Sequence, residues 1–166
     1  MERQWRFLLV QETYADCSIS TSPALERGVM EGISPNTVLL DIFPADSFTI
    51  GVLDDPEKAI DLDFCRRRGI VVLRRNTTGG TIYAGKGSAM ICYYIRLSEP
   101  GVPKTIGDAF PRLLGDFAQA ARELYGFPAK YRPLNDVEVE GRKLMPTSCK
   151  IEQDTMVLRA VLNVKP

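Results

Sequence analysis

The sequence predicts an α+β domain, a mixed and largely antiparallel β-sheet packed with α-helices. Three observations predict it. Strand-like and helix-like segments are interspersed along the chain, with no internal repeat. Hairpin-like connections outnumber strand–helix–strand crossovers, which argues against a purely parallel sheet. The 166 residues, 45% apolar and 25% charged, suit one soluble domain with a solvated surface.

The elements follow in order. Residues 5–10 read as the first strand. Residues 21–32 suit a short helix around Ala24, Leu25 and Val29, with Pro23 in its first turn. Residues 37–43 and 47–53 read as two strands joined by a turn at Pro44-Ala45-Asp46. A helix follows, with Asp55 as N-cap, Pro56 at the first helical position and Glu57 favouring the dipole. Ile60, Phe64 and Cys65 are its expected buried stripe, Arg66, Arg67 and Arg68 its last turn, and Gly69 its stop. Residues 70–73 suit a strand buried on both faces. A strand pair then has residues 88–95 as its second member. A long helix spans 106–125, with Phe110, Leu113, Leu114, Phe117, Ala121 and Leu124 on one face and Gly126 as its stop. Pro111 lies in its first turn or kinks it. Residues 135–140 alternate Val137 and Val139 with acids, Glu140-Gly141 is turn-like, and a return strand starts near Arg142. Residues 155–164 form the last strand.

Composition excludes several classes of function. Lys+Arg and Asp+Glu both number 21, so no global field draws in nucleic acid or an anionic membrane. No apolar run approaches the roughly 20 residues needed to cross a bilayer, and the N-terminus lacks the apolar stretch of a signal peptide. A cytoplasmic location is expected. Cys17, Cys65, Cys92 and Cys149 have wide, irregular spacing without a CxxC, which argues for reduced thiols rather than a zinc site or disulfide framework. The count of zero histidines removes Ser-His-Asp and Cys-His catalysis and every His-ligated metal. Chemistry must rest on Lys, Arg, carboxylates, Cys and backbone groups.

Two constellations stand out. Arg74-Arg75 runs into Asn76-Thr77-Thr78-Gly79-Gly80. Adjacent strand residues face opposite ways, so one arginine suits a cleft while the other anchors into structure. The glycines let backbone N–H groups approach a phosphate, and arginine adds a bidentate clamp. The same spacing equally suits a glycine hairpin with two surface arginines. Residues 80–86 match seven positions of the phosphate-binding pattern GxxxxGK[ST], but Gly87 replaces the hydroxyl and a strand follows instead of a helix. That pattern is rejected. The second constellation is Asn135-Asp136 with Lys143, where an oxygen-bearing pair and an ammonium could meet around a phosphate and its magnesium across a hairpin. An exposed hairpin of alternating charge shows the same spacing. Cys149 is a third candidate, with Lys150 beside it and no histidine to activate it.

Taken in order, these features resemble the lipoate-protein ligase A family. Residues 65–83 resemble its helix, "gi-vv" strand and RRxTGGG-like loop followed by an aromatic. Pro133-Leu134-Asn135-Asp136 through Lys143 is similar to its "ND-x-x-v-x-g-r-K" hairpin, and Leu162-Asn163-Val164 to the strand that follows. The upstream stretches Trp5-Arg6, Ala24-Leu25-Glu26 and Thr49-Ile50-Gly51 fit in the same order. The resemblance implies the α+β fold of the biotin/lipoate protein ligase catalytic domain. It implies an enzyme that activates lipoate or octanoate with ATP and Mg2+ as acyl-AMP, then passes the acyl group to a lysine of a lipoyl-domain or GcvH-like acceptor protein. On that resemblance Lys143 contacts the adenylate and carbonyl. Arg75, Gly79 and Gly80 surround the acyl group and phosphate, with Arg74, Thr77 and Thr78 beside them. Asn135 and Asp136 lie near the adenylate, Asp136 next to the magnesium. In related octanoyl transferases a cysteine precedes this hairpin. None lies between Cys92 and Cys149, which favours the ligase.

Some residues depart from the family pattern. Thr78 stands at the first of three loop glycines, Ala84-Gly85 replaces a His-Asp, Pro146 replaces the glycine of a K-x-x-G turn, and Asp154-Thr155 replaces a His-Gly. The chain is expected to form one catalytic domain over residues 1–166 without the family's C-terminal helices. These departures keep two alternatives open: a non-catalytic paralogue or subunit of a split ligase, completed by a second ligase subunit, and an ATP-independent octanoyl/lipoyl transferase using Cys149.

Overall fold

The computed structural model describes residues 4–11 and 17–163. The predicted end of the last strand at Val164 and the side chain of Cys17 lie outside the described residues.

The elements are β1 (Trp5–Val10), α1 (Cys17–Met30), β2 (Asn36–Ile42), β3 (Ser47–Ile50), α2 (Pro56–Ala59), α3 (Leu62–Arg68), β4 (Val71–Arg74), β5 (Ile82–Ala84), β6 (Ala89–Arg96), α4 (Ile106–Ala109), a π-helical turn (Phe110–Leu114), α5 (Gly115–Tyr125), β7 (Ala129–Arg132), β8 (Asp136–Val139), β9 (Arg142–Glu152) and β10 (Thr155–Leu162). Seven strands form one sheet in the order β1-β2-β6-β10-β9-β8-β7, and three form a second in the order β4-β3-β5. Among the described residues, only β1–β2 and β3–β4 are parallel. The mixed, largely antiparallel sheet with packed helices is the α+β architecture expected.

Period-two alternation on β10 fixes how the large sheet is covered. Met156, Leu158 and Ala160 join one core cluster with Leu114, Ala118 and Ala121 of the 106–125 helical segment. Val157 and Val161 join the other with Val29 of α1, Leu39 and Tyr94. A one-residue slip of β10 would exchange the two sets, so the register is set by burial. No helix among the described residues is long and apolar enough to cross a membrane.

Local chemistry accounts for several boundaries. The helix expected after Asp55 is two helices, because a second cap interrupts it. Asp55 accepts from the Glu57 N–H, and Asp61 accepts from the Phe64 N–H at 2.7 Å. Gly69 closes α3 at φ 65° and Gly126 closes α5 at φ 69°, the left-handed stops expected of glycine. Pro111 sits in the π turn, where the wider helix accommodates a residue without an N–H.

Several expectations need correcting. Helix α1 begins at Cys17, so Pro23 lies inside it rather than in the first turn. Strands β2 and β3 do not pair across Pro44-Ala45-Asp46; β2 enters the large sheet and β3 the small one. Nor do β5 and β6 pair: β5 joins β3, while β6 joins β2 and β10. Strand β4 is an edge strand of the small sheet, with Val71 exposed rather than buried on both faces. Phe64 is exposed beneath the Arg68 guanidinium, 5.5 Å from its ring centre, and Leu124 is exposed at the end of α5. The triple arginine is solvated as expected of a helix's last turn, with Arg66 paired to Asp63 at 2.5 Å. Strand β7 carries no strong sequence signal.

Candidate functional site

The glycine loop between β4 and β5 is built by its two preceding arginines. Arg74 and Arg75 point apart, as strand alternation requires. Arg74 donates through Nη1 to the carbonyls of Gly51, Val52 and Asp54 at 2.9–3.1 Å. It is the anchor. Arg75 donates through Nη1 to the Thr49 carbonyl at 2.9 Å. Through Nη2 it donates to the carbonyls of Thr78, Gly79 and Gly80 at 3.1, 2.6 and 2.8 Å. In a trans peptide the N–H opposes the C=O. The N–H groups of Gly79, Gly80 and Thr81 therefore point away from the guanidinium. Gly79, at φ 97°, needs its missing side chain for that path. The Val52 N–H closes the loop on the Thr77 carbonyl at 3.0 Å.

The second constellation forms on β8 and β9. Glu140 and Gly141 have φ of 51° and 78°, the two positive values of a tight hairpin turn. A register shift between Val137 and Glu138 places Glu138 opposite Lys143 and Asp136 opposite Pro146. Asp136 is buried, and its Oδ2 accepts from Arg132 Nη2 at 2.6 Å. Lys143 Nζ lies 3.0 Å from Oδ1, an ion contact in which Oδ1 gains no aligned hydrogen bond. Burial pushes the Asp136 carboxyl up, but the hydrogen bond from Arg132 and the close positive charges of Lys143 and Arg132 outweigh it and hold it below the ordinary carboxylate range. Glu138, also buried, pairs with Lys130 at 3.1 Å and Arg132 at 3.5 Å. Asn135 is fixed by reciprocal bonds: its Nδ2 donates to the Thr147 carbonyl at 2.6 Å, and the Thr147 hydroxyl donates to the Asn135 carbonyl.

One cleft of about 770 Å³ joins the two constellations. Arg75, Thr77, Thr78, Gly79 and Gly80 line it, as do Asn135 and Lys143. Arg74 and Asp136 are not among the lining residues; they stand behind them. Apolar walls come from Phe43, Ile82, Met90 and Val161. Residues 80–86 run through β5 into a turn, with no helix after them.

Sequence reasoning missed a charge cluster on the same cleft. Glu26 of α1 is buried and receives Lys150 Nζ at 2.6 Å and Arg159 Nη2 at 3.2 Å. Arg159 Nε donates to Ser22 Oγ at 3.0 Å. These partners are up to 137 residues apart, so no local pattern links them. Arg132 was also missed, though its place four residues before Asp136 was a usable signal. Cys149 lines the cleft half-buried, and burial pushes its thiol up to about 11 against the opposing charge of Arg159. Cys65, Cys92 and Cys149 are free.

A mixed sheet with helices packed on it, and a glycine loop and a lysine hairpin on one apolar-walled cleft, define an α+β domain with a single cleft joining both constellations. A model described as the Lipoyl protein ligase A/B catalytic domain matches residues 19–166. The chain belongs to the lipoate-protein ligase family that this domain defines.

Solved structures agree on the fold. A bi-partite lipoate protein ligase from Thermoplasma acidophilum, solved with its E2 lipoyl domain, superposes with a TM-score of 0.79 at 21% identity, over 99% of this chain and 63% of that one. P. falciparum LipL1 in complex with lipoate superposes at 0.81 and 16% identity, over 98% and 49%. Lipoate-protein ligase A bound with ATP superposes at 0.79 and 20% identity, over 100% and 68%. The chain thus spans about half to two thirds of the length of these structures. A comparison with curated proteins found no significant match.

Proposed function

We propose that this chain is an acid-adenylating domain acting on lipoate, octanoate or a similar medium-length carboxylic acid. The observation that supports this reading is the shared cleft. It sets the outward N–H groups of Gly79, Gly80 and Thr81 and the Lys143 ammonium beside apolar walls suited to an alkyl chain. The acid's carboxylate oxygen attacks the α-phosphorus of ATP, and pyrophosphate leaves. The amine of a lipoyl-domain lysine then attacks the acyl carbon, and AMP leaves. Charge grows on phosphate and carbonyl oxygens in both steps, which is where N–H and ammonium donors act. Similar proteins are seen with lipoate and with ATP. We assign Lys143 to the adenylate and carbonyl, the 77–80 loop to phosphate and carboxylate, and Asn135 to holding the hairpin beside them.

Magnesium would enter on the nucleotide. Among the described residues no group of three His, Cys, Asp or Glu side chains could hold a metal. The Asp136 carboxylate is shared between Arg132 and Lys143. Among the described residues the protein side therefore offers no magnesium cage.

The likeness to a bi-partite lipoate protein ligase and Pro146 after Lys143 favour a second reading, one subunit of a split ligase that needs a partner chain. The raised Cys149 thiol argues against an ATP-independent transferase. Acid-dependent ATP–pyrophosphate exchange tests the proposal. Exchange with lipoate or octanoate, abolished in Lys143→Ala, supports it. Exchange that persists in Lys143→Ala refutes the assignment of Lys143. Exchange only after adding a second subunit supports the split ligase.

A further inference from the structure

Asp136 is a buried carboxylate held from two sides. Arg132 reaches Oδ2 from β7 at 2.6 Å with an aligned hydrogen bond, and Arg132 does not line the cleft. Lys143 reaches Oδ1 from β9 at 3.0 Å without one, and Lys143 lines the cleft. The two cations are therefore not equivalent. The arginine contact is the firmer, and the lysine contact is the one that an incoming anion can exchange. Among the described residues Lys143 has no other ion pair. Its ammonium has three donors, and a phosphate or carboxylate that takes them competes with Asp136 for the same charge. A buried carboxylate stripped of all its cations is strongly disfavoured, so a second cation on Asp136 lowers the cost of that exchange.

We propose that Arg132 is a positioning residue that lets Lys143 pass to an anionic ligand, by holding Oδ2 of Asp136 while Lys143 leaves Oδ1. The proposal rests on the reading of Lys143 as a contact to a phosphate-bearing ligand. It concerns how the lysine is released rather than what it binds. Removing Arg132 leaves Lys143 as the nearest cation to Asp136, and the lysine is then held in place. Glu138, the other acid beside Arg132, keeps Lys130 at 3.1 Å and is not orphaned by the change.

The test uses the full chain and AMP as the probe, with binding measured by calorimetry. Arg132→Gln should weaken AMP binding about five-fold, the scale of a partly exposed ion pair. Arg132→Lys, which keeps a cation, should bind close to the native level. Adding Asp136→Asn to Arg132→Gln should restore affinity, because no anion then retains Lys143. A merely structural role for Arg132 predicts no such restoration. Native affinity in Arg132→Gln, or a double variant as weak as the single one, overturns the proposal. A crystal structure of Arg132→Gln supplies an arm independent of the nucleotide. The Asp136 carboxylate should turn to bring both oxygens onto Lys143; an unchanged rotamer overturns the proposal. Should native protein fail to bind AMP, the nucleotide reading falls and the crystal structure alone decides. If Arg132→Gln does not fold, Arg132→Met keeps the aliphatic stem and takes its place.

Discussion

Arg159 of β10 reaches Glu26 of α1 with Nη2 3.2 Å from Oε2, across 133 residues of chain, and Lys150 takes the other oxygen at 2.6 Å. The pair fastens α1 to the sheet at the edge of the cleft. Glu26 is 6% exposed, so it depends on these partners more than on water. Glu26→Ala should strand Arg159 and cost about 3 kcal/mol. Urea unfolding followed by circular dichroism measures it. A loss under about 1 kcal/mol would mean that the cluster is hydrated and not a fastening.

Arg75 should matter through shape more than charge. Its fork reaches Thr49 on one side and three loop carbonyls on the other. A lysine ammonium cannot span both. Arg75→Lys should therefore behave like Arg75→Ala: a modest stability loss of about 1–2 kcal/mol, with faster amide exchange at Val52, whose N–H closes the loop on the Thr77 carbonyl. Hydrogen exchange read by NMR checks this. Protection retained in Arg75→Lys would show that charge alone holds the loop.

What the sequence disclosed divides by range. Local devices were legible: the Asp55 cap, the Gly69 and Gly126 stops, the Glu140-Gly141 turn that puts Lys143 across from the strand that starts at Asp136, and the opposed directions of Arg74 and Arg75. Each is decided within about ten residues. The division of strands between two sheets was not legible. Turn residues at 44–46 and 85–88 suit a hairpin and a sheet-to-sheet crossing alike, and which one forms depends on long-range partners. The same limit hid Glu26 and Arg159. It also left Phe64 on the wrong side, since a seven-residue helix can bury only a narrow stripe, and here Cys65 fills it.

Two thiols should make the fold sensitive to alkali. Burial pushes Cys92 up to about 12 and Cys149 up to about 11. In the unfolded chain they ionise near the ordinary value of about 8.5. Below that value both states hold the protons and stability is flat. Above it the unfolded chain binds fewer protons, so stability falls as pH rises towards 11 and 12. Urea midpoints from pH 7 to 10.5 should fall, and fall less steeply in Cys149→Ala. A flat profile above pH 9 would contradict the burial of these thiols.

Two glycines of similar appearance should respond in opposite ways. A Cβ on Gly51 would lie 2.3 Å from the Gly79 carbonyl oxygen, a clash with backbone that no rotamer relieves. Gly51→Ala should push the glycine loop off the 49–54 segment and cost about 1–3 kcal/mol. A Cβ on Gly80 meets nothing within 4 Å, and Gly80 has no positive φ to strain. Gly80→Ala should therefore leave stability within about 0.5 kcal/mol. Yet Gly80 lines the cleft, and the added methyl projects into space that a close-lying ligand would need. Thermal melts of the two variants, paired with the pyrophosphate-exchange KM for ATP and for the acid, separate fold from binding at adjoining positions. Gly80→Ala should melt like the native chain while raising one of the two KM values. An unchanged KM for both substrates would place the ligand away from the glycine loop, and the assignment of residues 77–80 to phosphate and carboxylate would have to be abandoned.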